Sequence, residues 1–399
     1  MKNLTTMQTV YTQLRLTAVF KGTLTSPLIT SFFRFMETTE KAEKFSAYAS
    51  FVSEIYENGG SLTDVCRRVV FENENVYVKS YAKGIAVDEN IERTAKRELQ
   101  TFSLFASLTP ENFAAELAEE VDNLPLYRIE QADFAKEYQI RLQGIDKYGY
   151  GIFSSSAMFR LSDDKKLEKI VSADDVTTDK FIGYEIERSK VEENTLALLE
   201  GGPSANTLLC GDAGTGKSST VKALVNKYFS RGLRLIELRK DQLNALPYVM
   251  GKVRENPLKF IIFIDDLSFQ KSDDNFSMLK AALEGSASAR ADNAVIYATS
   301  NRRHIVKENF GDREGGDVHR NDTLQETLSL SERFGLVVYY QKPDKKLYLE
   351  IVRKLAERYA LTIGQEELEI KAEAFALKKG NRSARCAEQF IDSLRRIIK

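Results

Sequence analysis

Gly211-Asp212-Ala213-Gly214-Thr215-Gly216-Lys217-Ser218 fits the pattern G-x-x-x-x-G-K-[ST], with Ser219 following. In such a loop the glycines let backbone N–H groups turn inward around phosphate oxygens, where a Cβ would block the turn. Lys217 is placed to neutralise β/γ-phosphate charge, and the Ser218 hydroxyl to hold Mg²⁺. The stretch before the octet, Thr207–Cys210, is apolar and strand-like. The stretch after it, from Lys217 to Phe229, carries Val221, Leu224, Val225 and Tyr228 at helical spacing. A strand running into a glycine loop and then a helix is the context this octet needs, and it puts a helix N-terminus under the phosphates.

Outward from the octet the pattern repeats. Apolar strands are expected at Leu233–Leu238, Phe260–Ile264, Ala294–Ala298 and Leu336–Tyr340, with helical segments between them. Alternation of this kind argues for an α/β fold, a parallel sheet covered by helices on both faces. The strand Phe260–Ile264 ends in Asp265-Asp266. The first acid suits the Walker B role of facing Mg²⁺, so Ser218 and Asp265 are the expected metal-side residues. Asp266 is placed to orient or deprotonate an attacking water, although Asp reaches one methylene less far than Glu.

The strand at 294–300 ends in Asn301-Arg302-Arg303, a polar tip expected beside a γ-phosphate. Ser331-Glu332-Arg333-Phe334-Gly335 lies just before the last strand, and Gly380-Asn381-Arg382-Ser383-Ala384-Arg385 lies among the helices that follow. In this order the chain resembles the AAA+ ATPases: P-loop, Walker B, a sensor-1 asparagine, an arginine finger and a helical lid. The Ser-x-Arg-Phe-Gly element is similar to that of branch-migration motors and clamp loaders. The resemblance implies that Asn301 senses the γ-phosphate and that Arg333 reaches a neighbouring subunit's nucleotide, hence a homo-oligomer. It also implies a sensor-2 arginine, Arg385 first and Arg382 second, and places Ile182 and Gly183 of Phe181-Ile-Gly-Tyr184 on the nucleotide. More closely, Phe181–Tyr184, Gly211–Lys222, Lys259–Phe269, Tyr297–His304, Leu328–Leu336, Tyr48–Ser53 and Asn73–Val78 resemble a bacterial AAA+ family catalogued as domain of unknown function 815. Membership would imply a cytosolic ATPase with ATP and Mg²⁺ as cofactors and an unidentified client.

The flanks are less specific. Residues 1–130 are expected to form a helical domain, with Tyr48, Phe51, Val52 and Ile55 on one face, a solvated charged helix from Asp88 to Phe105, and Thr109-Pro110 starting another. Residues 131–180 are expected as a connector containing a β-hairpin around Ser162–Lys166, 181–342 as the ATPase core and 343–399 as the lid. Tyr248-Val249-Met250-Gly251 resembles an aromatic pore loop, but its spacing with Leu243 and Leu246 is equally that of a buried helix face. The loop at 308–322 lies between sensor 1 and the finger, where a partner could act.

Composition sets the outer bounds. With 57 Lys+Arg against 58 Asp+Glu the chain has no global field to gather nucleic acid. Residues 341–399 hold a modest basic excess, 14 Lys+Arg to 9 Asp+Glu, without the interleaved aromatics that stack bases. A 43% hydrophobic content excludes a disordered chain. Three scattered cysteines and two histidines argue against a disulfide scaffold or a zinc site. Met1–Thr6 lacks a signal-peptide core, and Phe260–Ile264 is far too short to span a membrane. The expectation is a cytoplasmic, Mg²⁺-dependent ATPase acting on an unknown protein or nucleic-acid client, with no membrane contact. The alternative is a slowly hydrolysing, ATP-gated switch or loader.

Overall fold

The computed structural model describes residues 5–170, 177–178, 181–267, 278–280, 283, 291–301 and 333–397. The chain divides into two compact units, 1–155 and 156–399. That boundary falls inside the stretch 131–180 expected as a connector: Phe134–Ser154 belongs to the helical unit, and the hairpin belongs to the sheet of the other.

The first unit is built from α1 (Thr6–Arg15), α2 (Pro27–Glu37), α3 (Lys41–Glu57), α4 (Leu62–Phe71), α5 (Val76–Ala82), α6 (Glu89–Ala106), α7 (Pro110–Leu117), α8 (Phe134–Gln143) and α9 (Ile145–Tyr148). Side-chain caps start several of them, including Ser26 on α2, Ser61 on α4 and Asn75 on α5. Helix α3 buries Tyr48, Phe51, Val52 and Ile55, as its periodicity predicts. The Phe113 ring on α7 lies 4.9 Å from Tyr48, 5.0 Å from Phe35 and 5.1 Å from Phe51. Helix α6 corrects an expectation. Its exposed face is charged, but it also buries Ala95, Leu99, Phe102 and Phe105, so it lies within the core rather than wholly in solvent. It further buries Glu98, whose carboxylate accepts the N–H groups of Ala18 (2.7 Å), Val19 (3.2 Å) and Phe20 (2.9 Å). Three backbone donors offset the cost of taking that charge out of water.

The second unit is a seven-stranded sheet of β1 (Met158–Leu161), β2 (Leu167–Lys169), β3 (Thr207–Gly211), β4 (Leu233–Leu238), β5 (Lys259–Ile264), β6 (Ala294–Ser300) and β7 (Leu336–Tyr340), in the order β2-β1-β4-β5-β6-β3-β7. Only the β1–β2 hairpin is antiparallel among the described strands; β1 then pairs parallel with β4. The central strands are buried almost end to end, which is why they read as unbroken apolar runs. Helices α10 (Glu185–Leu199), α11 (Lys217–Tyr228) and α12 (Leu246–Arg254) complete the layer. Helix α12 buries Leu246, Val249 and Met250 but leaves Tyr248 43% exposed, so Tyr248 is not part of that buried face.

After β7 come α13 (Lys345–Arg358), α14 (Gln365–Lys379) and α15 (Ala384–Ile397), packed through Tyr348, Val352, Ala372, Phe390 and Ile391. Gly380, at φ +66°, closes α14 as a left-handed C-cap. Among the described residues no helix is long and apolar enough to cross a membrane. All three cysteines are buried free thiols.

Candidate nucleotide site

Strand order sets the site. β3 lies between β6 and β7, and β6 also pairs with β5, so the glycine loop, the Asp265 tip and the Asn301 tip leave neighbouring strands at the same end of the sheet. Ligands of open α/β sheets bind outside those carboxyl ends.

The loop starts pressed against β7. Gly211 has φ +134°, and a Cβ there would come within 2.0 Å of the Tyr340 carbonyl oxygen, which excludes any side chain. The Asp212 N–H donates to that same oxygen (3.2 Å), and its carboxylate accepts the Lys342 N–H (3.0 Å). Gly211 and Asp212, expected among the phosphate-binding residues, here fasten the loop to β7 and the segment after it. Ala213 through Ser219 line a cavity of about 220 Å³ together with Asp265, Asp266, Thr299, Asn301 and Arg385.

At the start of α11, Lys217 is only 5% exposed. Its Nζ donates to the Gly211 carbonyl (3.0 Å), the Asp212 carbonyl (2.8 Å) and Asn301 Oδ1 (3.0 Å). Burial pushes the ammonium below the usual lysine range, against the opposing pull of Asp212, Asp265 and Asp266. Asn301 in turn donates from Nδ2 to Asp266 Oδ1 (2.8 Å), so one amide holds both the lysine and the second acid. Asp266 itself sits at φ +52°, a left-handed conformation uncommon for a residue with a side chain.

The Ser218 hydroxyl donates to Asp265 Oδ1 (2.7 Å). With its proton committed there, its lone pairs are available to a cation. Hydroxyl and carboxylate oxygens are the hard donors Mg²⁺ takes, usually with water and phosphate completing the shell. The residues present therefore fit that ion. Among the described residues there is no cluster of three or more His, Cys, Asp or Glu that would form an all-protein cage.

A second cavity, about 160 Å³, is lined by Phe181, Ile182, Tyr184 and Arg188, by Gly214–Gly216, and by Ile351, Leu355, Ala384 and Arg385 of the lid. This slot shares Gly214–Gly216 and Arg385 with the first cavity, and its wall is mixed, with Ser219, Thr220 and Glu388 beside the apolar side chains. Gly183, at φ +76°, packs so tightly that a Cβ would lie 2.8 Å from Leu347 Cδ1. The Gly183 carbonyl accepts from Arg188, and the Tyr184 hydroxyl donates to the Gln341 carbonyl (2.7 Å).

The two sensor-2 candidates separate. Arg382 pairs with Glu373 of α14 through Nε and Nη2 (3.0 and 2.9 Å). Arg385 lines both cavities, and its N–H faces the Gly214 carbonyl at 3.4 Å. Arg333 is half-buried three residues before β7, and the linings of the two cavities do not include it. Arg302, Arg303, His304 and the loop at 308–322 lie outside the described residues. Sequence reasoning missed Thr299, Tyr340 and Arg188, because no motif marks a residue whose role is to hold another.

Known proteins resemble the chain at several levels. Over 202 residues the chain is 29% identical to the chaperone protein ClpB 2 of Parasynechococcus marenigrum, matching 45% of this chain and 20% of that protein. It therefore spans about a fifth of the length of that curated relative. Among solved structures, the Thermotoga maritima RuvB Holliday junction branch migration motor aligns with a TM-score of 0.34 at 13% identity, over 56% of this chain and 73% of that one. A single-site variant of the same motor aligns with a TM-score of 0.35 at 14% identity and the same coverage. The family model described as "Protein of unknown function (DUF815)" matches residues 154–396. That match covers more than half of the chain, including the glycine loop, the parallel sheet and the helices after it, and the chain belongs to this family.

Proposed function

We propose that the protein is a Mg²⁺-dependent ATPase that couples ATP hydrolysis to remodelling or loading of a macromolecular client. The observation that carries this is the network Lys217–Asn301–Asp266 beside Ser218–Asp265, set in one wall of a cavity that a lid arginine also lines. Lys217, Ser218 and the loop N–H groups from Ala213 onward would hold the phosphates, with Mg²⁺ on Ser218 and near Asp265. The ion would supply charge neutralisation to those phosphates. A γ-phosphate oxygen competes with Asn301 for Lys217. Once Asn301 turns toward that phosphate it releases Asp266, which is then free to orient water. Arg385 brings the lid onto the same phosphates, and Arg333 serves the nucleotide of an adjacent copy, so the working form is a cytoplasmic homo-oligomer. The client is a protein or a nucleic acid.

A specific observation favours the second reading, a slow ATP-gated switch. Asp266 is short for a water-orienting acid, and its carboxylate is already engaged by Asn301. Turnover of Mg²⁺-ATP per chain across a protein concentration series, with Arg333→Ala alongside, separates the two. A coupled ATPase gives turnover that rises with concentration and falls about 100-fold in the variant, the scale of an electrostatic transition-state contact. Low, concentration-independent turnover with tight ATP binding selects the switch. Absence of ATP binding rejects both.

A further inference from the structure

Thr299 lies in the Tyr297–His304 segment but the motif reading gives it no role, and it sits at the centre of the polar cluster lining the cavity. It sits on β6 two residues before Asn301 and is 2% exposed. Its hydroxyl donates to Asp265 Oδ1 and accepts the Asp266 N–H at 3.0 Å. Asp265 Oδ1 also receives the Ser218 hydroxyl at 2.7 Å and the Asp266 N–H at 3.1 Å. Three donors thus converge on one carboxylate oxygen, and the Thr299 hydroxyl is itself one of them while holding the Asp266 N–H, another. The Thr299 backbone adds a further tie, since its carbonyl accepts the Leu267 N–H at 2.7 Å.

The consequence is geometric. Rotation of the Asp265 carboxylate is restrained by a hydroxyl on the neighbouring strand β6. Because that carboxylate takes the Ser218 proton, it also dictates which way the Ser218 lone pairs point. The same hydroxyl holds the Asp265–Asp266 peptide, whose second residue is in a left-handed conformation. An outer group that orients an inner ligand governs metal affinity without touching the metal.

We infer that Thr299 is a positioning residue for the divalent cation of the bound nucleotide, acting through Asp265 and Ser218. This rests on the ATPase reading above and extends it to a residue that reading does not need.

The test uses the full chain and a non-hydrolysable ATP analogue, with binding followed by calorimetry in EDTA and across a Mg²⁺ series. In Thr299→Val, which keeps the shape and removes the hydroxyl, the Mg²⁺ concentration for half-maximal enhancement of binding rises about tenfold, the lower end of the range for outer-shell changes. Affinity in EDTA stays within about twofold, and Thr299→Ser restores the wild-type response. A Val variant whose Mg²⁺ midpoint matches wild type overturns the inference, even if its melting temperature falls, because that pattern is purely structural. So does a Ser variant as impaired as Val. Thr299→Ala is read in the same way if Val does not fold, and if neither folds the hydroxyl serves stability and the inference falls. A wild-type chain that binds no analogue under any condition removes the ATPase reading itself, and Thr299's role with it. A wild-type chain with a normal Mg²⁺ response beside an unchanged Val variant removes only the role of Thr299.

Discussion

Glu98 in the helical unit and Lys217 in the sheet unit are both buried charges, and they are satisfied in opposite ways. Glu98, 2% exposed, takes three backbone N–H groups from the single stretch Ala18–Phe20 of its own unit. Lys217 rests on two loop carbonyls and the Asn301 amide, at the wall of a 220 Å³ cavity. The first arrangement is closed and belongs to stability. The second lies at a cavity wall, where burial holds the ammonium below the usual lysine range. Burial of a charge is thus no sign of function by itself; what its partners would surrender it to is.

The comparison can be broken most directly at Glu98. Glu98→Ala leaves three backbone donors without their acceptor and should cost about 4 kcal/mol, as loss of a buried charged partner does. Chemical denaturation followed by circular dichroism reads that loss, and calorimetry should find nucleotide affinity unchanged. A large fall in affinity would mean that the two buried charges serve one function. Next in size, Lys217→Ala should lower ATP affinity about 100-fold, or ~2.7 kcal/mol, through loss of charge-assisted hydrogen bonds. The same variant should unfold within about 1 kcal/mol of wild type, since the residue's role is toward a ligand. Smaller again is Gly214→Ala. Gly214 has φ +77°, and a Cβ would meet Ser383 Oγ at 3.0 Å and Arg385 Cβ at 3.2 Å. The lid must yield, and ATP affinity should fall about tenfold with little change in unfolding free energy, on the scale of one strained backbone position.

Much of the sheet unit is legible in sequence because its signals are local. An apolar run buried on both faces, a glycine loop that must turn tightly and glycines that end helices each declare themselves within a few residues. The β-hairpin is legible too, but its parallel pairing with β4 is not: Met158 partners Leu235, and nothing local specifies a strand so far along the chain. Charge density misleads on α6: Glu89, Arg93, Lys96 and Arg97 cover the outer face while Glu98, Leu99, Phe102 and Phe105 are buried in the core. Of the candidate site, the residues expected to touch phosphate or metal stand out by their order along the chain. Those that hold them, Thr299 above all, have no spacing rule, because their partners come from other strands. Nor does sequence reveal that Arg382 is held by Glu373 while Arg385 faces the cavities, a choice made only when α14 and α15 pack.

The Asp212 carboxylate on the Lys342 N–H fixes where the molecule can bend. Together with Gly211 pressed on Tyr340, it welds the root of the glycine loop to the end of β7 and the two residues beyond. Pro343-Asp344, immediately before α13, are the first residues beyond that weld. Were α13–α15 to move against the sheet, as the proposed function requires, the turning point would fall there, with the strand end and the glycine loop moving as one piece.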